Sequence, residues 1–178
     1  MNWKGLFIIT NALVILLVIF LAAFQTTFWF QVFGKLPSPL LWLNVVTFLA
    51  LYRNPFNAIF MIYLIGFTLC RFTAMPFAVM STSLLLLTSL ILLVKKRVFW
   101  PGSGYYWMAC LFASFSFHLC YIISSHFIEI QATDILFFDR LIQIMITPLF
   151  ALPIYWIMNK LEKISDKEIA MESGELNG

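Results

Sequence analysis

Charge is what this chain has least of. Asp, Glu, Lys and Arg make up 11% of its 178 residues, 11 basic against 8 acidic, and there are two histidines. A net charge of +3 is too small to build the basic surface that a nucleic-acid partner requires. Cysteine is also scarce. Cys70, Cys110 and Cys120 form no CxxC pair and lie within or at the end of apolar runs, so neither a disulfide framework nor a zinc site is indicated. They read as small packing residues. No internal repeat or low-complexity stretch stands out, and no segment is left over for a soluble domain.

What remains is apolar: 62% of residues are hydrophobic, 18% are aromatic, and the mean hydropathy is +0.95. A soluble domain of this size buries only about two-thirds of the surface its unfolded chain exposes, so the excess would face water. Lipid removes the problem, and the charges fall between runs long enough to cross it. Gly5 to Phe24 is an uncharged stretch that spans a hydrocarbon core of about 30 Å as a helix. Lys4 and Leu21-Ala22-Ala23 also resemble a signal peptide, but such apolar cores run only about 7 to 15 residues, so the first helix is expected to be retained. Gln25 to Lys35 mixes aromatic and polar residues and suits the headgroup layer.

Further spans are expected over Leu36 to Tyr52, Pro55 to about Ala74, Pro76 to Val94, Gly104 to Phe127 and Leu141 to Met158. Arg53-Asn54-Pro55 punctuates the second and third, with Asn54 as cap and Pro55 in the first turn. Pro148 and Pro153 are expected to bend the last. The reading is therefore an all-α polytopic membrane protein of about six helices over residues 1–163, with a polar tail over 164–178. With the N-terminus inside, Lys4, Arg53, Lys95, Lys96, Arg97, Lys160, Lys163 and Lys167 fall on the inner side. Lys35, Arg71 and Arg140 fall outside, so the asymmetry places both termini in the cytoplasm.

A membrane enzyme needs nucleophile, base or metal ligands converging at membrane depth. No carboxylate falls inside any expected span. His118 and His126 are eight residues apart, about 80° around a helix, and do not share a face as a metal pair would. A nucleophilic pairing of His118 with Cys120 is the catalytic alternative to a hydrogen-bonded packing histidine. No catalytic, metal or cofactor-binding residue is therefore expected. Asn11 and Asn44, inside apolar runs, require interhelical partners. Arg71 is expected to snorkel to the outer headgroups or to pair with Asp139, Asp134 or Glu129, and Arg71, Asp139 and Arg140 are the candidate partner contacts. On the fifth span Ala109, Ala113, Ser116, Cys120 and Ser124 recur on one stripe, which predicts a closely packed neighbouring helix.

The pattern from Leu36 onward resembles the rod shape-determining protein MreD family. The features that carry the likeness are Leu36-Pro-Ser-Pro-Leu-Leu-Trp-Leu43, the span ending in Arg53-Asn-Pro55, Gly66-Phe-Thr-Leu69 and the basic turn Lys95-Lys-Arg97. Ile146-Thr-Pro-Leu-Phe-Ala-Leu-Pro153, leading into Asn159-Lys-Leu-Glu-Lys163, completes them. Cys70-Arg71 stands where many members have an aspartate, and that acid is not carried over. The resemblance implies a six-helix fold similar to the substrate-binding subunits of energy-coupling-factor vitamin transporters, in the bacterial inner membrane and without enzymatic activity. It also implies a scaffold that binds the bitopic protein MreC and, through it, MreB, RodA and a class B penicillin-binding protein. The alternative is a vitamin-transporter subunit of the energy-coupling-factor type itself.

Overall fold

A helix that is apolar on every side has to be covered on every side. Leu41 to Leu51 is such a run, and in the computed structural model all eleven of these side chains are buried. The structure describes residues 3–97, 102–129 and 136–164. Around this centre, α3 (Leu41–Tyr52), pack α1 (Trp3–Ala23), α4 (Pro55–Leu69), α5 (Phe77–Lys95), α6 (Ser103–Ile128) and α8 (Ala151–Ile164). The remaining helices are α2 (Trp29–Phe33), joined to α1 by a π-turn over Phe24–Phe28, and α7 (Phe137–Ile146), joined to α8 by a 3-10 turn over Thr147–Phe150. The described chain is all-helical. Four continuous stretches are long and apolar enough to cross a membrane: Ile8–Phe33, Phe77–Lys95, Ser103–Ile128 and Phe137–Lys163.

Local chemistry explains most helix ends. Asn54 Oδ1 accepts from the Phe56 amide at 3.2 Å and Pro55 holds the first helical position of α4, as the Arg53-Asn54-Pro55 punctuation predicts. Pro76 precedes α5. Gly102 enters α6 with φ 135° and ψ 161°, a conformation that side-chain-bearing residues rarely adopt. Gly66 lets α4 approach α5, since a Cβ there would stand 3.1 Å from Leu84 Cδ1.

In three places the structure differs from the reading of the sequence. The first helix does not stop at Phe24 but stays helical to Phe33, because Thr26 Oγ1 donates to the Ala22 carbonyl at 3.0 Å and Thr27 to that of Ala23. Their hydroxyls are satisfied by the helix itself and impose no exit from it. The second apolar run is helical only from Leu41; residues 37–40 are non-helical. The third ends at Leu69, so Arg71 lies in the turn after α4 and not within it.

On α6 the buried face carries a stripe of small residues beside the larger Tyr106, Phe117, His118 and Tyr121. Ala113, Ser116, Cys120 and Ser124 are buried and Ala109 is half-buried, whereas Met108, Phe112, Phe115, Leu119 and Ile123 are exposed. In lipid, large apolar side chains outside cost nothing, and small ones inside let backbones approach. α6 makes its most extensive contact with α5.

Candidate functional site

The polar residues of the bundle interior gather at two levels. One lies at the end that carries Arg53, Lys95, Lys96, Arg97, Lys160 and Lys163, here termed the basic end. Arg53, read from sequence as loop punctuation, is only 5% exposed. Its Nε donates to Glu162 Oε1 at 2.7 Å, Nη2 lies 2.6 Å from the same oxygen, and Nη1 donates to Asn11 Oδ1 at 2.7 Å. Three helices, α1, α3 and α8, are thereby pinned together. The expectation that no carboxylate enters a helical span is thus overturned. α8 runs through Asn159 to Ile164, and Glu162 is 3% exposed. Beneath this pair lie Phe48, Tyr52, Tyr106 and Tyr155, with ring centroids 4.6 to 6.2 Å apart.

The second level lies where two helical runs are interrupted. Residues 37–40 have no helical ladder, and backbone groups inside an apolar bundle must find partners. Pro37 and Pro39 remove two donors. Trp29 Nε1 donates to the Leu36 carbonyl at 3.2 Å, Gln143 Nε2 to that of Ser38 at 2.6 Å, and the Leu40 amide to Thr147 Oγ1 at 3.0 Å. Thr147 Oγ1 in turn donates to the Gln143 carbonyl at 2.7 Å. The facing interruption is the 3-10 turn at Pro148, which frees the Thr147 carbonyl to accept from Asn44 Nδ2 at 3.0 Å. Tyr106 Oη then donates to the Asn44 carbonyl at 2.6 Å. Asn11 and Asn44 both have the interhelical partners that their positions required.

His118 belongs to this second level. It is buried, with Nδ1 2.7 Å from the Ser114 carbonyl and Nε2 3.0 Å from Gln143 Oε1. His126 is exposed, so the two histidines do not meet. Among the described residues no group of three or more His, Cys, Asp or Glu is placed to hold a metal ion.

Of the three candidate partner contacts, Arg140 is half-buried, its guanidinium carbon 5.3 Å from the Tyr121 ring centroid and its Nη1 3.4 Å from Gln143 Oε1. Asp139, one residue earlier, is exposed. Arg71 is exposed and lies 6.0 Å over the ring of Phe67, on the helix it follows. Among the described residues no ion pair joins it to Asp139, and Asp134 and the tail after Ile164 lie outside them. Asp139 and Arg140 thus sit together at the start of α7, and Arg71 stands apart.

Gln143 and Thr147 were missed as structural residues, since nothing near them in sequence shows which backbone groups they serve. Replacing Thr147 by valine keeps the shape but orphans the Leu40 amide. The expected loss is about 1–3 kcal/mol of stability, read as a lower thermal midpoint of the detergent-solubilised protein. Thr147→Ser should recover most of it. Loss in Thr147→Ser with none in Thr147→Val would mean that the methyl group, not the hydrogen bonds, is what counts there.

Comparison with protein-family models, with curated proteins and with solved structures finds no match.

Proposed function

We propose that this protein is a non-catalytic membrane scaffold subunit of the bacterial cell-wall elongation machinery. In this reading it crosses the inner membrane six times, with both termini in the cytoplasm. α3 alone is about 18 Å long, and the non-helical residues 37–40 complete its crossing; α4 and the turn after it make the next. The basic end then faces the cytoplasm, following the excess of Lys and Arg there.

The observation that carries the proposal is the division of labour on α7. Its inner side is fixed to the bundle through Gln143, which donates to the Ser38 carbonyl, and Arg140, which lies over the Tyr121 ring, while Phe137, Phe138, Leu141 and Met145 are exposed beside the exposed carboxylate of Asp139. A helix so anchored offers a rigid apolar strip with one charge at its end, a form suited to a bitopic partner whose own helix lies alongside. The resemblance to the MreD family supplies the identity of that partner, an MreC-like protein, and through it MreB, RodA and a class B penicillin-binding protein.

Depletion in a rod-shaped host is expected to give rounded, widening cells, and crosslinkers placed at Phe138 or Met145 are expected to capture the bitopic partner. Asp139→Lys should reduce that capture without lowering protein abundance. A second reading, a substrate-binding subunit of an energy-coupling-factor vitamin transporter, is favoured by the facing interruptions at Leu40 and Thr147, because transporters build solute sites from broken helices. Rods of normal shape on depletion, with a new requirement for an exogenous vitamin, would replace the scaffold by that reading.

A further inference from the structure

A groove opens sideways from the bundle at its basic end. It encloses about 230 Å³ between the ends of α3, α5 and α6 and is lined mainly by Leu51, Ile91, Val94, Tyr105, Met108 and Phe112. Leu51 and Ile91 are its buried floor; Val94, Met108 and Phe112 are 40%, 57% and 42% exposed and form its open sides. A dry apolar cavity of roughly 150 Å³ already admits an aromatic ring, so a length of hydrocarbon fits here. From Tyr105 to Phe112 the groove follows α6 for about 10 Å, away from the headgroup level and into the depth of the helices.

The second observation is charge. Val94, at the mouth, is followed directly by Lys95, Lys96 and Arg97, the first half-buried and the other two exposed. Among the described residues none of the three makes an ion pair, and the buried carboxylate at this end, Glu162, is held by Arg53. Long basic side chains at a helix end reach to the headgroup layer, and a phenol such as that of Tyr105 is at home there. An apolar slot with cations at its mouth that no described carboxylate pairs complements one chemical class, an amphiphile with a hydrocarbon chain and a negatively charged head.

We propose that the groove between α5 and α6, with Lys95, Lys96 and Arg97, is a binding site for an anionic phospholipid. One acyl chain lies against Leu51, Ile91 and Phe112, and the headgroup phosphate sits on the basic turn. A zwitterionic lipid offers the same chain, but its own cation offsets the phosphate. Inorganic phosphate offers the charge without the chain. The assignment stands whether the protein is a scaffold or a transporter subunit, since it uses neither α7 nor the interruptions at residues 37–40 and Thr147.

The test uses the full-length protein in detergent, with native mass spectrometry and thermal unfolding during titration with phosphatidylglycerol, phosphatidylcholine or inorganic phosphate. Phosphatidylglycerol is expected to be retained and to raise the unfolding midpoint saturably, phosphatidylcholine to do much less, and phosphate to do nothing. Each basic residue near a charged lipid surface contributes roughly fivefold, so Lys95→Gln with Lys96→Gln and Arg97→Gln should weaken phosphatidylglycerol binding on the order of a hundredfold. Val94→Phe, which fills the mouth, should lower retention with the charges intact, and circular dichroism should show both variants fully helical. Equal effects of the two lipids on the natural protein, or undiminished retention in the triple variant, would overturn the proposal. Protection by inorganic phosphate equal to that by phosphatidylglycerol would overturn it too, in favour of a soluble anion.

Discussion

Replacing Arg53 by alanine is expected to destabilise the protein by about 3–5 kcal/mol, the range found when one member of a buried ion pair is removed. The side chains of Arg53 and Glu162 are 3% and 4% exposed. Without the guanidinium, the Glu162 carboxylate is left inside the bundle with its countercharge and the Nε donor gone, and Asn11 Oδ1 loses its donor as well. Three helices lose their common fastening in one step. The loss should show as a large drop in the thermal midpoint in detergent and as low membrane abundance in cells. Glu162→Leu, which strands the arginine, should cost a comparable amount. The double variant Arg53→Met with Glu162→Leu removes both charges and keeps the volume, and it should recover most of the loss, because hydrophobic replacements of buried pairs are often neutral or better. A double variant as unstable as either single one would show that the pair's geometry, and not the stranded charge, sets the cost.

This pair also shows where reading along the chain stops working. Asn54 and Pro55 mark the start of α4 because a cap and a first-turn proline act within one turn of themselves, and the structure places them so. Arg53 and Glu162 sit 109 residues apart, and each stands beside residues that look solvated: Arg53 before a loop asparagine, Glu162 between Lys160 and Lys163. One local signal was available. Ile154, Met158 and Glu162 succeed one another at intervals of four, and all three are buried. An acid on an apolar ladder is a reason to look for a buried cation.

Pro37 and Pro39 illustrate a different limit. A proline suits the first turn of a helix and an extended segment alike. The choice between them rests on Trp29, Gln143 and Thr147, whose side chains satisfy the extended backbone from elsewhere in the chain. The small stripe on α6 was legible because its period belongs to a single helix, although its neighbour was not. The candidate partner contacts were chosen as charges at span ends. That criterion is local too, and it could not foresee that Arg140 is held by Tyr121 and Gln143 while Arg71 lies over Phe67.

Enlarging that stripe by Ala113→Leu together with Ser116→Leu is expected to disrupt the bundle. Ala113 is fully buried and Ser116 is 4% exposed, on the inward side of a helix that packs against α5, α3, α8 and the Thr147–Phe150 turn. Overpacking at one such position costs about 1–3 kcal/mol. Here the two positions lie one turn apart, so the strain cannot be relieved at one by moving toward the other. Lipid gives no compensating gain for burying the added carbons, since leucine is as well solvated by acyl chains as by protein. The expected outcome is loss of a folded, extractable protein, measured as aggregation on detergent extraction and as reduced abundance. The control lies on the opposite side of the same helix, where Phe115 and Leu119 are 52% and 46% exposed. Phe115→Trp with Leu119→Phe also enlarges two side chains, here facing outward, and should stay within about 0.5 kcal/mol of the natural protein, as surface changes do. If the two pairs of substitutions behaved alike, the small stripe of α6 would have no part in assembly, and its close packing would have to be given up as what holds α6 in place.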